Sequence, residues 1–372
     1  MTNVDGGVGV GGILEKKYIN VSDKIILSVS GKPEFKHIVD YGKTRSILPA
    51  MINSHAHLEL NQLKSPIKLP EIENNYHRHF DQWLQNLIQF RKSSTYNSIK
   101  AIAEARKYFL DNKGTGAIVD IVPFGVDFGG KNIGDDILWL RFPEVIAWDS
   151  KTVKQKIKQI NKLPKENFDG LSPHAPQTVS GEVLEFLVGC GVTISMHLAE
   201  SADEIQLLQT RDGKLLNMMR RFDENYDPSK VLVGRRAMDY LKLLSRAPRA
   251  LVVHGNYLDE TEIQFLAKHN QTMAIVYTPR SHDYFGFREF PLKRLLDAGV
   301  RVFLGTDSKA STPDLNLTNE INHAIKIHPQ IPLETFLQMT TTLPATFLNL
   351  TKDYGTIESG KIAAFSLIKL PK

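Results

Sequence analysis

His55 and His57 stand two residues apart in the segment MINSHAHLEL, which overlaps the apolar run SILPAMIN. In an extended strand, residues i and i+2 face the same way, so both imidazoles would project from one side, near enough to share a cation. Taken alone, a His-x-His reads most simply as two polar residues on the wet face of a strand. Further candidates change that reading: His197 and Glu200 in MHLAES, His254 in VVHGN and Asp307 in FLGTDS. Three neutral imidazoles and one carboxylate suit Zn²⁺ or Fe²⁺ rather than Mg²⁺ or Ca²⁺. His55, His57, His197 and Asp307 are therefore the expected ligands of one divalent transition metal, Zn²⁺ first, with a water completing the set. Such an ion lowers the pKa of water from ~15.7 toward ~7. Asp307 can take that water's proton, and His254 can orient the attacking oxygen or stabilise developing charge. Glu200 reads as a general acid with a raised pKa, protonating a substrate ring nitrogen while water attacks the adjacent carbon. Its plainer reading is a charge favouring the start of a helix, in ESADEI.

Residues so far apart in the chain need a frame that gathers them. Short apolar, β-branched runs begin at Ser46 (SILPAMIN), Gly116 (GAIVDIV), Ile137 (ILWLRFPEVIAW), Phe168 (FDGLSPHA), Val192 (VTISMHL), Ala250 (ALVVHGN), Met273 (MAIVYTP) and Val300 (VRVFLGTD). Strands that are apolar almost throughout are buried on both faces, as in a parallel sheet. Amphipathic stretches lie between them, including SIKAIAEARKYFLDNK, SGEVLEFLVGC, DETEIQFLAKH and FPLKRLLDAG. SGEV and LDETE read as helix starts and DAG as a helix stop. The alternation predicts an α/β fold, a (β/α)₈ TIM barrel over residues 46–349. Active sites of such barrels lie at the C-terminal ends of the strands. His55 and His57 follow the first run, His174 the fourth, His197 and Glu200 the fifth, His254 the sixth and Asp307 the eighth. Segments 14–45 and 350–372 are strand-like and turn-rich and are expected to form a small, reduced β-domain. Residues 1–13, with the stretch MTNVDGGVGVGG, read as a flexible tail.

Composition sets the class. The 372-residue chain is 42% hydrophobic and 23% charged, enough to bury a large core. Its net charge of +5 comes from scattered lysines, which argues against a nucleic-acid partner. The one cysteine, Cys190, cannot form an intramolecular disulfide, and it excludes cysteine-rich zinc sites. That includes the His/Cys/Cys zinc of cytidine-type deaminases. Cys190 itself, in LVGCGVTISMHL, reads as a small buried apolar residue. No run approaches the ~20 apolar residues of a membrane span, and the N-terminus lacks a signal-peptide pattern. A cytoplasmic location follows by default, with no membrane partner; a homodimer is left open.

LPAMINSHAHLEL, HLAESADE, VVHGNYLDETEI, LLDAGVRVFLGTDSKASTPDLNL and YGTIESGKIAAF together resemble the amidohydrolase superfamily, in its nucleobase and nucleoside deaminase branch. The resemblance spans most of the chain. It implies metal ligands at His55, His57, His197 and Asp307, a ring-protonating acid at Glu200 and a catalytic histidine at His254. It also implies that His174, in the HAP segment, contacts the nucleoside. Within the branch the chain is similar to methylthioadenosine/S-adenosylhomocysteine deaminases and to the aminodeoxyfutalosine deaminases of menaquinone synthesis. FDQWLQNLIQFRKS resembles a Phe-x-x-Trp-Leu segment of the latter group. The expected reaction is hydrolytic deamination of a 6-aminopurine nucleoside, aminodeoxyfutalosine-like first and methylthioadenosine or S-adenosylhomocysteine as the alternative. A hydrolytic dechlorinase, or a guanine or cytosine deaminase, is a further alternative on the same scaffold. There are departures: the relatives' CPxSN reads YTPRSHDYF, with Arg280 and His282 in new places, and GKIAAF lacks the relatives' aspartate. A benzoate-bearing substrate wants an aromatic face and a cation. Trp83 is expected near the distal group, with Arg91 or Arg280 pairing with its carboxylate.

Overall fold

The computed structural model describes residues 2–4, 7–9, 12–14, 17–32, 39–40, 46–69, 80–112, 114–126, 132–133, 137–163 and 168–368. Eight strands form the frame: β1 (Met51–Ala56), β2 (Thr115–Val122), β3 (Ile137–Val145), β4 (Gly170–Pro173), β5 (Thr193–Leu198), β6 (Ala250–His254), β7 (Met273–Tyr277) and β8 (Val302–Leu304). Each pairs in parallel with the next. The ring closes where Ala56 bridges Asp307, also in parallel. The backbone N–H groups of Thr306 and Asp307 both donate to the His55 carbonyl at 3.1 Å. Asn53 reinforces this seam, donating through Nδ2 to Thr306 Oγ1 at 2.8 Å and accepting from Thr306 N at 3.1 Å. Gly305 makes the approach possible: a Cβ there would lie 2.9 Å from both Cβ and O of His55. This is the TIM barrel expected from the sequence.

Val119 and Phe142 pack with Leu251, Val253, Val276 and Phe303 in one buried cluster. These residues come from β2 and β3 on one side and β6, β7 and β8 on the other, so they meet only through the barrel's interior. Side chains alternate along a strand, and His197 pairs in register with Val253. His197 therefore continues the inward-facing row, at the carboxyl end. The outer faces of the strands pack against helices whose boundaries obey local capping chemistry. Ser180 caps Gly181–Val188, and Asp259 and Glu262 form a reciprocal capping box on Glu260–Lys268. Leu292–Asp297 stops just before Gly299, whose φ is 81°. None of these helices is long and apolar enough to cross a membrane, nor is any other among the described residues.

The terminal segments do form small sheets. Lys17–Ser22 and Ile25–Ser30 make an antiparallel hairpin, and Ile19 and Ile26 pack with Ile47 and Ile357. One reading is corrected: the run SILPAMIN is two strands. Ser46–Pro49 pairs antiparallel with Phe365–Ile368, and only Met51–Ala56 enters the barrel. Both halves are buried, so hydrophobicity alone could not show the change of partner. Within residues 1–13, read as a tail, Thr2–Val4, Gly7–Gly9 and the start of Gly12–Leu14 have strand backbone, and the rest lie outside the described residues.

Candidate active site

Three imidazoles meet at the mouth of the barrel. The ligating atoms of His55, His57 and His197 all lie within 4.8 Å of one another. His57 Nε2 is 3.3 Å from His197 Nε2. His197 Nδ1 donates to the His174 carbonyl at 2.8 Å, and a carbonyl can only accept. In the neutral ring, Nε2 of His197 therefore presents a lone pair toward His57. The other nitrogen of His57, and both nitrogens of His55, are buried without a hydrogen-bond partner among the described residues. Buried polar atoms in a folded protein are normally satisfied, and one cation shared among the three rings would satisfy the facing lone pairs at once. Burial foremost, then the neighbouring imidazoles, pushes His55 well below the ordinary histidine pKa. The same causes act on His57, and His197 is held down to about 4. Neutral rings are the ligating form. Asp307 Oδ1 stands 3.9 Å from His55 Nε2. Its other oxygen accepts from Ser281 Oγ at 2.7 Å and Ser311 Oγ at 3.1 Å. The donor set fits a divalent transition metal.

Beside the triad, Glu200 Oε1 lies 3.3 Å from His254 Nε2. Burial, then the nearby Asp307 and Glu204 carboxylates, pushes Glu200 well above the ordinary carboxyl range. That shift favours its protonated form. Burial chiefly, and the imidazoles of His197, His282 and His174, keep His254 neutral. His254 Nδ1 sits 3.3 Å from Thr278 Oγ1. The loop carrying Glu200 is fixed from behind by Glu204, which accepts from Ala199 N at 2.7 Å and Glu200 N at 3.2 Å. Ala199, His254 and Asp307 all have left-handed backbone, with φ of 55°, 71° and 58°. Non-glycine residues seldom adopt it, and it turns the chain sharply where each strand ends.

His57 and His197 open into a cavity of about 410 Å³. Its polar lining includes Glu200, His254, Asp307 and His174. Its apolar lining comes from Trp83, Leu84 and Leu87 of the helix Phe80–Lys92 and from Met218, Met219 and Phe222 of the helix Lys214–Phe222. His174, on the loop after β4, bonds through Nδ1 with Thr178 Oγ1 at 2.7 Å and stands 3.9 Å from Glu144. Trp83 lines the cavity, with its indole N–H donating to the Ala310 carbonyl at 3.0 Å.

Arg280 requires a correction. Its guanidinium binds Glu320 Oε1 at 2.7 Å and Asp314 Oδ1 at 2.8 Å, and it does not line the cavity. Two carboxylates of its own hold it away from the mouth. His282, the other departure, is buried and bonded through Nε2 to the Arg288 carbonyl at 2.9 Å. Arg91 does line the cavity, but it is neutralised: Nε donates to Glu59 Oε1 at 3.2 Å, and Nη1 is 3.3 Å from Glu144 Oε2. Cys190 is half-buried after the helix Gly181–Val188, its thiol directed at the Phe186 carbonyl at 3.4 Å. Sequence reasoning missed Glu144, Ser281, Glu204 and the methionine wall. Of these, only Glu144 carried a signal, a carboxylate at the carboxyl end of a strand read as apolar.

The profile described as "Amidohydrolase family" matches residues 46–372. The chain belongs to the amidohydrolase family. It is accordingly a hydrolase acting on C–N bonds. Among similar amidohydrolases, the 5-methylthioadenosine/S-adenosylhomocysteine deaminase of Bacillus cytotoxicus is 26% identical over 96% of this chain and 81% of its own length. The enzyme of the same name from Pyrococcus furiosus is 26% identical over 87% and 75%. Among solved structures, Helicobacter pylori aminofutalosine deaminase in complex with methylthio-coformycin superposes with a TM-score of 0.78 at 18% identity, covering 100% of this chain and 92% of that one. An adenosine deaminase from Xanthomonas campestris with bound zinc has a TM-score of 0.72 at 20% identity, covering 99% and 84%. These two likenesses share the family's barrel.

Proposed function

We propose that the chain is a metal-dependent aminohydrolase converting the 6-amino group of a purine nucleoside into a carbonyl, with release of ammonia. The observation that carries this reading is Glu200: a buried carboxyl whose burial favours the protonated form, 3.3 Å from His254 and in one cavity with His57 and His197. An ordinary amide offers no ring nitrogen for such an acid, whereas an aminopurine does. The names of the deaminase relatives support the same class.

His55, His57, His197 and Asp307 would hold the metal, and the zinc of the Xanthomonas neighbour supports Zn²⁺. Bound there, the ion supplies Lewis-acid activation of the attacking water. The protein's own groups move the protons. Asp307 takes one proton from water as its oxygen adds to C6, while Glu200 gives its proton to N1. His254 hydrogen-bonds the oxygen being added. Asp307 then passes its proton to the amino group, which leaves as ammonia. Glu200 takes the hydroxyl proton as the carbonyl forms. The ring keeps a proton on N1, and both carboxyl groups return to their starting states.

For the group beyond the ribose, the methionine and phenylalanine wall favours an apolar substituent of the methylthio kind. A carboxylate there would meet Arg91 already compensated by Glu59 and Glu144. An aminofutalosine-type substrate is the second reading, and Lys92 favours it: it lines the same cavity, with Nζ 5.4 Å from the Phe222 ring centre. The test is a screen of the purified, metal-loaded protein against adenosine, methylthioadenosine, S-adenosylhomocysteine and aminodeoxyfutalosine, following the adenine-to-hypoxanthine absorbance change. Turnover of methylthioadenosine above the others supports the first reading, and preference for aminodeoxyfutalosine the second. No ammonia from any of them, with chloride release from a chlorinated heteroaromatic, would replace deamination by hydrolytic dechlorination.

A further inference from the structure

Glu144 stands at the end of β3 with one oxygen used and one free. Its Oε2 is 3.3 Å from Arg91 Nη1, which fixes the carboxylate's orientation. Its Oε1 is buried and has no hydrogen-bond partner among the described residues. His174 Nε2 lies 3.9 Å from that oxygen, beyond hydrogen-bond range. Both residues line the cavity that holds Glu200 and His254. A buried carboxylate oxygen without donors is unfavourable, and it offers two lone pairs for donors that a ligand brings. Arg91 is itself held by Glu59, and Tyr96 also donates to Glu59. The cluster is thus a rigid mount that presents one acceptor to the cavity.

What a ligand would bring there follows from the deaminase reading, on which this inference rests. With C6 and N1 of a purine between Asp307 and Glu200, the sugar extends from the opposite side of the bicycle. A ribose carries two adjacent hydroxyls, each a donor, matching two lone pairs on a single oxygen. We infer that Glu144 Oε1 accepts hydrogen bonds from the ribose 2′- and 3′-hydroxyls, and that it selects ribonucleosides over deoxynucleosides. Arg91 is the positioning residue that aims it.

The experiment compares kcat/KM of the metal-loaded enzyme for adenosine, 2′-deoxyadenosine and 3′-deoxyadenosine, in the native protein and in Glu144→Gln and Glu144→Ala. A charge-assisted hydrogen bond predicts that the native enzyme favours adenosine about 10- to 150-fold over each deoxynucleoside. Glu144→Gln, nearly isosteric and able to keep the Arg91 contact, should shrink that ratio to a few-fold, mostly by slowing adenosine. Glu144→Ala should bring it to about one. If Glu144 serves only to neutralise Arg91, each variant depresses all three substrates alike and the ratio stands; that overturns the inference while deamination survives. Equal use of the three by the native enzyme overturns it as well. If the native enzyme deaminates no nucleoside, the inference and the deaminase reading fall together.

Discussion

Replacing Ser281 with alanine removes one of two hydroxyls that brace Asp307. Ser281 Oγ donates to Oδ2 at 2.7 Å, and Ser311 Oγ reaches the same oxygen at 3.1 Å. Oδ1 is left facing His55. A hydrogen bond to an ionised group contributes ~1.5–3 kcal/mol. The longer Ser311 bond survives, so the loss falls in the lower part of that range, about 1.5–2 kcal/mol, or roughly 10- to 30-fold. The loss should appear in metal affinity, because Asp307, the proposed fourth ligand, could bind only when ionised. Burial, the largest influence, already raises the Asp307 carboxyl above its ordinary range, while the serine hydroxyls oppose that rise. Removing one donor pushes the carboxyl up further, so protons compete better with the ion as pH falls. Chelator competition at about pH 6 and about pH 8 reads this directly, and the deficit should be larger at the lower value. kcat/KM should fall in parallel, with little change in thermal stability of the loaded protein. Unchanged metal affinity at both pH values would refute the reasoning, since Asp307 would then not need its donors, or not be a ligand.

His57→Ala should lose metal and activity together, and full metal occupancy by elemental analysis would sink the ligand assignment. Glu200→Gln should keep its metal and slow the chemical step by about 10²–10⁴; near-normal turnover would leave Glu200 as a helix-end charge only. Arg280→Ala should destabilise the fold by about 3 kcal/mol in urea unfolding, the lower end for a broken buried pair, because Glu320 can take up a proton. It should change kcat/KM for charged and uncharged nucleosides alike, and a selective loss on a carboxylate substrate would restore Arg280 to the site. Burial raises Glu204 from 4.5 to about 7. Its contribution to folding is fully present below about pH 4.5 and lost as pH rises through about 7, some 3 kcal/mol in all. Glu204→Gln should therefore flatten the pH dependence of the urea midpoint between those values, and an undiminished slope would assign it to other groups.

Much of this was legible because barrel strands advertise themselves: buried on both faces, they read as apolar runs, and the chemistry sits at their carboxyl ends. His55, His57, His197, Glu200, His254 and Asp307 were found that way, and the structure gathers them at one mouth. What stayed hidden depends on which group a side chain meets across the fold. Arg280 and Arg91 look equally available in the sequence; only the fold gives the first to Glu320 and Asp314 and the second to Glu59 and Glu144. Pro49 and Met51 belong to one apolar run, yet the chain changes sheets between them. Left-handed backbone at His254 and Asp307 has no sequence signature, because neither is glycine.

The seam between β1 and β8 also dictates when the site can exist. Asn53 and Thr306, bonded across it, are 253 residues apart in the chain. At a ribosomal rate of ~5–20 residues per second, roughly 13–50 s separate their synthesis. For all that time His55 and His57 are in the chain without Asp307, and the His55 carbonyl lacks the two amides that will fix it. The nascent chain can hold an ion only through incomplete ligand sets. The full proposed ligand set can come together only once the eighth strand is made and Gly305 lets it lie against the first.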